Sequence, residues 1–131
     1  MDLRPVLEKL YPEGSYGGQC GTFAHRLVNF PPVGNSLKSK INSVMNFGIP
    51  AIKLSGGFQE GDVLITWESR IFGHVAVINK LIYAENTDNL IQLQLTESNY
   101  NLDLRVHHTR TLSASSPFIV GVIRGNLLFN V

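Results

Sequence analysis

The spacing of apolar residues changes once along this chain, and that change restricts the fold more than any single residue does. Up to Leu54 apolar residues recur at helical intervals; beyond Ser55-Gly56-Gly57 they fall into short runs separated by turn residues, the pattern of an antiparallel sheet. Helices first and strands second predict an α+β domain with the helices packed against one side of the sheet. At 131 residues, 44% of them hydrophobic, residues 1–131 are expected to form one domain large enough to bury its own core.

Within the first half, Leu3, Val6, Leu7 and Leu10 share one face and predict a short helix, with Pro5 early, where a helix tolerates it, and Pro12 and Gly14 ending it. Phe23, Ala24, Leu27 and Val28 predict a second helix that begins near Cys20 and is stopped by Pro31-Pro32. Leu37, Ile41, Val44 and Met45 predict a third between Asn35 and Gly48, with Ser36 as its cap. Lys38, Lys40 and Lys53 read as a solvated face. The predicted strands are 62–67, 74–79, 90–95, 99–106 and 118–123.

Charge narrows the partners. Eleven Lys and Arg against ten Asp and Glu give no basic field, so neither nucleic acid nor an anionic membrane is an expected partner. No run approaches the roughly 18 apolar residues of a membrane span, and the N-terminus reads as lacking a secretory signal. A single cysteine excludes an internal disulfide and leaves the thiol free to react. Four scattered histidines lack paired-ligand spacing, so no metal and no cofactor are expected.

That cysteine has an unusual setting. A lone cysteine is most often a small buried hydrophobe, but Cys20 follows Gln19, lies among Gly17, Gly18 and Gly21, and opens a predicted helix. Glycines suit a tight turn that a substrate can approach, and the amides at a helix start favour a thiolate and a developing oxyanion. A candidate base is His74, which opens a predicted strand directly after Gly73 and shares a face with Ala76 and Ile78, opposite Val75 and Val77. In 97–106 the odd positions, Glu97, Asn99, Asn101, Asp103 and Arg105, form a polar face, so Glu97 and Asn99 fall together where a carboxylate can orient an imidazole. His25, about 140° around the helix from Cys20, reads as structural, as do the adjacent His107 and His108.

Tyr11-Pro-x-Gly, Gly18-Gln-Cys20, Gly61-Asp-Val63, Gly73-His-Val-Ala-Val-Ile78 and Glu97-x-Asn99 in combination resemble the CHAP family of cysteine- and histidine-dependent amidohydrolases and peptidases, relatives of the NlpC/P60 hydrolases. The resemblance spans about Tyr11 to Gly125. It implies a papain-like α+β fold and cleavage of bacterial peptidoglycan, either as an N-acetylmuramoyl-L-alanine amidase or as a peptide endopeptidase. By the same resemblance Cys20 is the nucleophile, His74 the base, Glu97 its orienting carboxylate and Asn99 a polar companion, with Gln19 in the oxyanion site. The aspartate-rich calcium loop of some CHAP enzymes has no counterpart in 15–22, which contains no carboxylate. A stand-alone monomer or a piece of a larger phage or secreted protein is expected, acting on the wall from outside or as a virion component such as a lysin or tail hydrolase. Two alternatives stay open: a transglutaminase-like enzyme with Asp103 as third member, and a wall-binding module that keeps the fold without turnover.

Overall fold

The computed structural model describes residues 1–55, 57–68 and 72–131; Gly56, at the predicted change of pattern, lies outside them. Helices α1 (Arg4–Leu10), α2 (Cys20–Leu27) and α3 (Leu37–Phe47) come first, with the two-residue strand β1 (Val28–Asn29) after α2. Next come β2 (Ile49–Pro50) and a single turn of helix, α4 (Ala51–Leu54). The long strands β3 (Val63–Thr66), β4 (His74–Tyr83) and β5 (Leu90–Ser98) follow, then β6 (Val106–His107), β7 (Thr111–Ser113), β8 (Ile119–Ile123) and β9 (Asn126–Leu127). The main sheet runs β2-β8-β3-β4-β5-β6, with β7 also on β5, and β1 pairs separately with β9. Every pairing among the described residues is antiparallel. The α+β class is therefore as predicted. No helix of the described residues is long and apolar enough to cross a membrane.

The predicted helix starts follow local chemistry. Pro5 sits in the first turn of α1, where its missing N–H costs nothing, and Ser36 caps α3 by accepting the Ser39 N–H at 3.0 Å. Phe23, Ala24 and Leu27 of α2 are buried with Leu7, Val44, Val63, Ile65, Val75 and Val77 on one face of the sheet, each large side chain contributing about 1.5–3 kcal/mol.

One-sided packing, by contrast, needs correction. The other face has its own core, where Leu64, Ala76, Ile78, Leu93, Leu95 and Val122 meet Leu54 of α4 and Phe58. Every residue of β3 is buried, which is what near-continuous apolar runs require when both faces are covered. The alternation predicted for β4 holds: Val75 and Val77 join the first core, Ala76 and Ile78 the second.

The predicted strand 99–106 is also corrected. β5 runs on to Ser98, and the chain then turns, with Asn99, Leu102 and Leu104 all at positive φ (66°, 60° and 58°). Left-handed residues cannot continue a pleat, so pairing resumes only at β6, where Ser98 faces Val106. The polar/apolar alternation of this stretch reflects a turn over the cysteine loop.

That loop docks closely. Gly17 and Gly18 donate their N–H groups to the Leu104 carbonyl at 2.9 and 3.2 Å, and Ser98 Oγ donates to the Gly18 carbonyl at 2.7 Å. A Cβ at Gly17 would come within 2.7 Å of Val106 Cγ2 and 2.8 Å of Ser98 Cβ. Gly17→Ala is therefore expected to lower stability by about 1–3 kcal/mol through overpacking, measured by urea denaturation; Gly21→Ala, where a Cβ meets nothing within 4 Å, is the control.

Candidate active site

Cys20 is the first residue of α2 and is partly exposed. Gln19 precedes it at the N-cap in extended conformation (ψ 150°) and makes no side-chain capping bond, leaving first-turn amides beside the sulfur available to a ligand. Space opens next to it, since Gly21 faces no neighbour within 4 Å.

β4 brings His74 to this helix start. Gly73, at φ +68°, makes the turn into the strand, and β3 fixes the register by pairing Thr66 with His74. His74 is 2% exposed and its Nε2 lies 2.8 Å from Glu97 Oε1. A carboxylate there selects the tautomer with hydrogen on Nε2, so Nδ1 is the nitrogen left to serve Cys20, and the two groups act on each other's protonation. Burial pushes the Cys20 thiol up, but the hydrogen bond and charge of His74, with the Val75 amide, outweigh it and hold the thiol below its ordinary value. Burial likewise opposes the His74 cation, and the bonds to Cys20 and Glu97 overcome it, so its pKa is raised. Together these shifts favour a thiolate–imidazolium pair.

Glu97 is 1% exposed and has a second cation. Arg110 Nε and Nη2 donate to its two oxygens, both at 2.8 Å, and the same guanidinium donates to Glu68 at 2.6 and 3.2 Å. Thr66 Oγ1 donates to Glu68 at 3.0 Å. Arg110 also lies 3.6 Å above the Tyr100 ring, which meets His74 edge to face at 5.5 Å. Burial works against the Glu97 carboxylate, but His74 and Arg110 hold it below the ordinary carboxylate value.

A depressed folded pKa stabilises the protein fully above the ordinary carboxylate pKa, about 4.3, and that stabilisation is lost as pH falls through the folded value. Urea midpoints are expected to drop between pH 7 and pH 3, and Glu97→Gln, with no charge to titrate, should show a smaller drop.

The other expected site residues lie close by without touching the reacting pair. Asn99 Nδ2 donates to Gln19 Oε1 at 3.1 Å and its Oδ1 accepts the Leu104 N–H at 3.0 Å, so it ties the turn after β5 to the residue before Cys20. With Oε1 so held, Nε2 is the Gln19 group left to donate. Asp103 binds His107 at 2.7 Å, and Glu97 occupies the position on His74 that a third member requires. His107 also meets Glu13 at 2.5 Å. His108 is buried against Thr96 and the Tyr11 carbonyl, and His25 stacks on Phe30 at 3.9 Å. Among the described residues no group of three or more His, Cys, Asp or Glu could hold a metal ion.

Sequence reasoning missed Arg110, Glu68 and Tyr100, and misjudged Lys40, which is 3% exposed and not part of a solvated face. A buried carboxylate with two oxygens to satisfy implied a cation beyond His74. Arg105 and Arg110 both follow Glu97 within a short stretch of chain, and only the break between β6 and β7 brings Arg110 alongside Glu97. No family model, no curated protein and no solved structure matches this chain.

Proposed function

We propose that this protein is a cysteine hydrolase of amide bonds with a papain-like arrangement, and that its substrate is bacterial peptidoglycan, cleaved at the muramoyl–L-alanine amide or within the stem peptide. The observation that carries the chemistry is the buried His74–Glu97 contact at 2.8 Å, with Cys20 at the start of α2 and the opposed shifts of Cys20 and His74 in support. The substrate class is supported by the motif combination that resembles CHAP enzymes.

In this mechanism the Cys20 thiolate attacks the scissile carbonyl, forming the C–S bond while the carbonyl electron pair moves to oxygen. The Cys20 amide and Gln19 Nε2 donate to that oxyanion. As the C–N bond breaks, His74 gives its Nδ1 proton to the leaving amine. Neutral His74, its Nε2–H still on Glu97, then deprotonates a water that attacks the thioester, and the thiolate departs. Tyr100 packs edge to face against the imidazole and helps to keep it buried.

The test is digestion of purified peptidoglycan of several chemotypes, with soluble products identified by mass spectrometry. New amine-terminated fragments absent with Cys20→Ala support the reading, and their masses separate amidase from endopeptidase. Binding to walls without fragments from any chemotype supports the non-catalytic module instead.

A further inference from the structure

Lys40 is the one described lysine classed as buried, and the mechanism above does not use it. Its Nζ donates to the Asn35 carbonyl at 2.8 Å and the Gly34 carbonyl at 3.3 Å. Among the described residues no carboxylate pairs with it, and Gly56, Ser69, Arg70 and Ile71, outside that description, carry none in sequence. An ammonium buried on neutral carbonyls alone is costly to keep, and Met fits the same stem without that cost.

Its position explains what offsets the cost. Lys40 is on α3, whose side chains pack over the turn into β4: a Cβ on Gly73 would lie 3.3 Å from Lys40 Cδ and 3.2 Å from Leu37 Cδ1. The next residue is His74, the partner of Cys20. This packing holds the Lys40 stem one residue from the imidazole that serves Cys20, and the charges acting on that sulfur are those of His74 from β4 and, more weakly, Lys40 from α3.

We infer that Lys40 is a positioning residue of the active site, a second cation that stabilises the Cys20 thiolate alongside His74. His74 gives up its proton during turnover, whereas Lys40 takes no part in proton transfer: burial lowers its pKa, and the Cys20 thiolate opposes that. The thiolate that leaves the thioester in the second half of the reaction therefore departs beside a cation even while His74 is neutral. Lys40 also keeps the nucleophile charged in free enzyme above the pH at which His74 deprotonates. This inference rests on the cysteine-hydrolase reading of the same site.

Because Cys20 is the only cysteine, iodoacetamide alkylation followed by intact mass reports on it alone. Rates are measured from pH 4 to 10 for wild type, Lys40→Met, Lys40→Gln, Lys40→Arg, the exposed Lys38→Met and His74→Ala, with thermal melts to confirm folding. Lys40→Met and Lys40→Gln are expected to move the alkylation inflection up by about one pH unit, tenfold in rate at a fixed pH below it. Lys40→Gln keeps a donor for the Asn35 carbonyl, so a shift in both variants separates charge from carbonyl bonding. Lys40→Arg and Lys38→Met should follow wild type. Wild-type profiles from Lys40→Met and Lys40→Gln overturn the inference. A wild-type inflection in the ordinary thiol range, unchanged by His74→Ala, overturns the hydrolase reading itself. Should Lys40→Met fail to fold, Lys40→Gln decides the matter by the same inflection.

Discussion

Cys20→Ala is expected to lower peptidoglycan cleavage by about 10⁴-fold or more, to the background left by binding and oxyanion contacts, while the protein keeps its fold. In the proposed mechanism the sulfur forms the acyl bond, and no other cysteine exists to replace it. The fold is preserved because Cys20 sits at the edge of the first core, partly exposed, while Phe23, Ala24 and Leu27 of the same helix are buried without it. His74 also keeps its Glu97 partner. A melt near that of wild type with no product in the digest is the expected pair of results; undiminished cleavage by a folded Cys20→Ala would remove Cys20 as nucleophile. His74→Ala should lose activity on the same scale, since members of one catalytic unit fail together.

Glu97→Ala should damage both activity and stability. Its carboxylate accepts from His74 and twice from Arg110, all at 2.8 Å and at 1% exposure. Removing one partner of a buried ion pair leaves uncompensated charge, at a cost of about 3–5 kcal/mol. Glu68 remains to hold Arg110, which should keep the loss toward the lower part of that range. Activity should fall by about 10²–10⁴-fold, because His74 loses the acceptor that sets its tautomer. Glu97→Gln separates the effects: it fills the same space, but its amide cannot accept both from Nε2–H and from the Arg110 fork on two oxygens. Urea denaturation measures stability, and digestion rates at matched folded fraction measure activity. An active Glu97→Gln with a wild-type pH profile would reduce Glu97 to a structural ion-pair residue.

Much of this was legible in the residues. The helix beginning at Cys20 was set by its apolar stripe, and α3 by the Ser36 cap. The two faces of β4 followed from alternation, with Val75 and Val77 on one and Ala76 and Ile78 on the other. Glu97 could be chosen for its strand face. Asn99 was less legible: its strand alternation was that of a left-handed turn (φ 66°), so it belongs with Gln19 and not with His74. The second core escaped notice because α4 is a single turn, too short to produce a periodic signal.

What the sequence determined by itself was therefore local: where elements start, which face each side chain takes, and that one cysteine and one histidine stand at element starts. Those properties depend on neighbours a few positions away, within reach of spacing and capping rules. Tertiary structure alone decided which charges meet. Arg110 reaches Glu97 and Glu68 because two short strands share one edge of β5 with a break between them. Lys40 is buried because α3 crosses the turn before His74. A lysine on a helix has the same local sequence whether its end is in water or buried on backbone carbonyls; the difference lies in packing between distant segments, and burial raises the strength of the resulting electrostatic interactions.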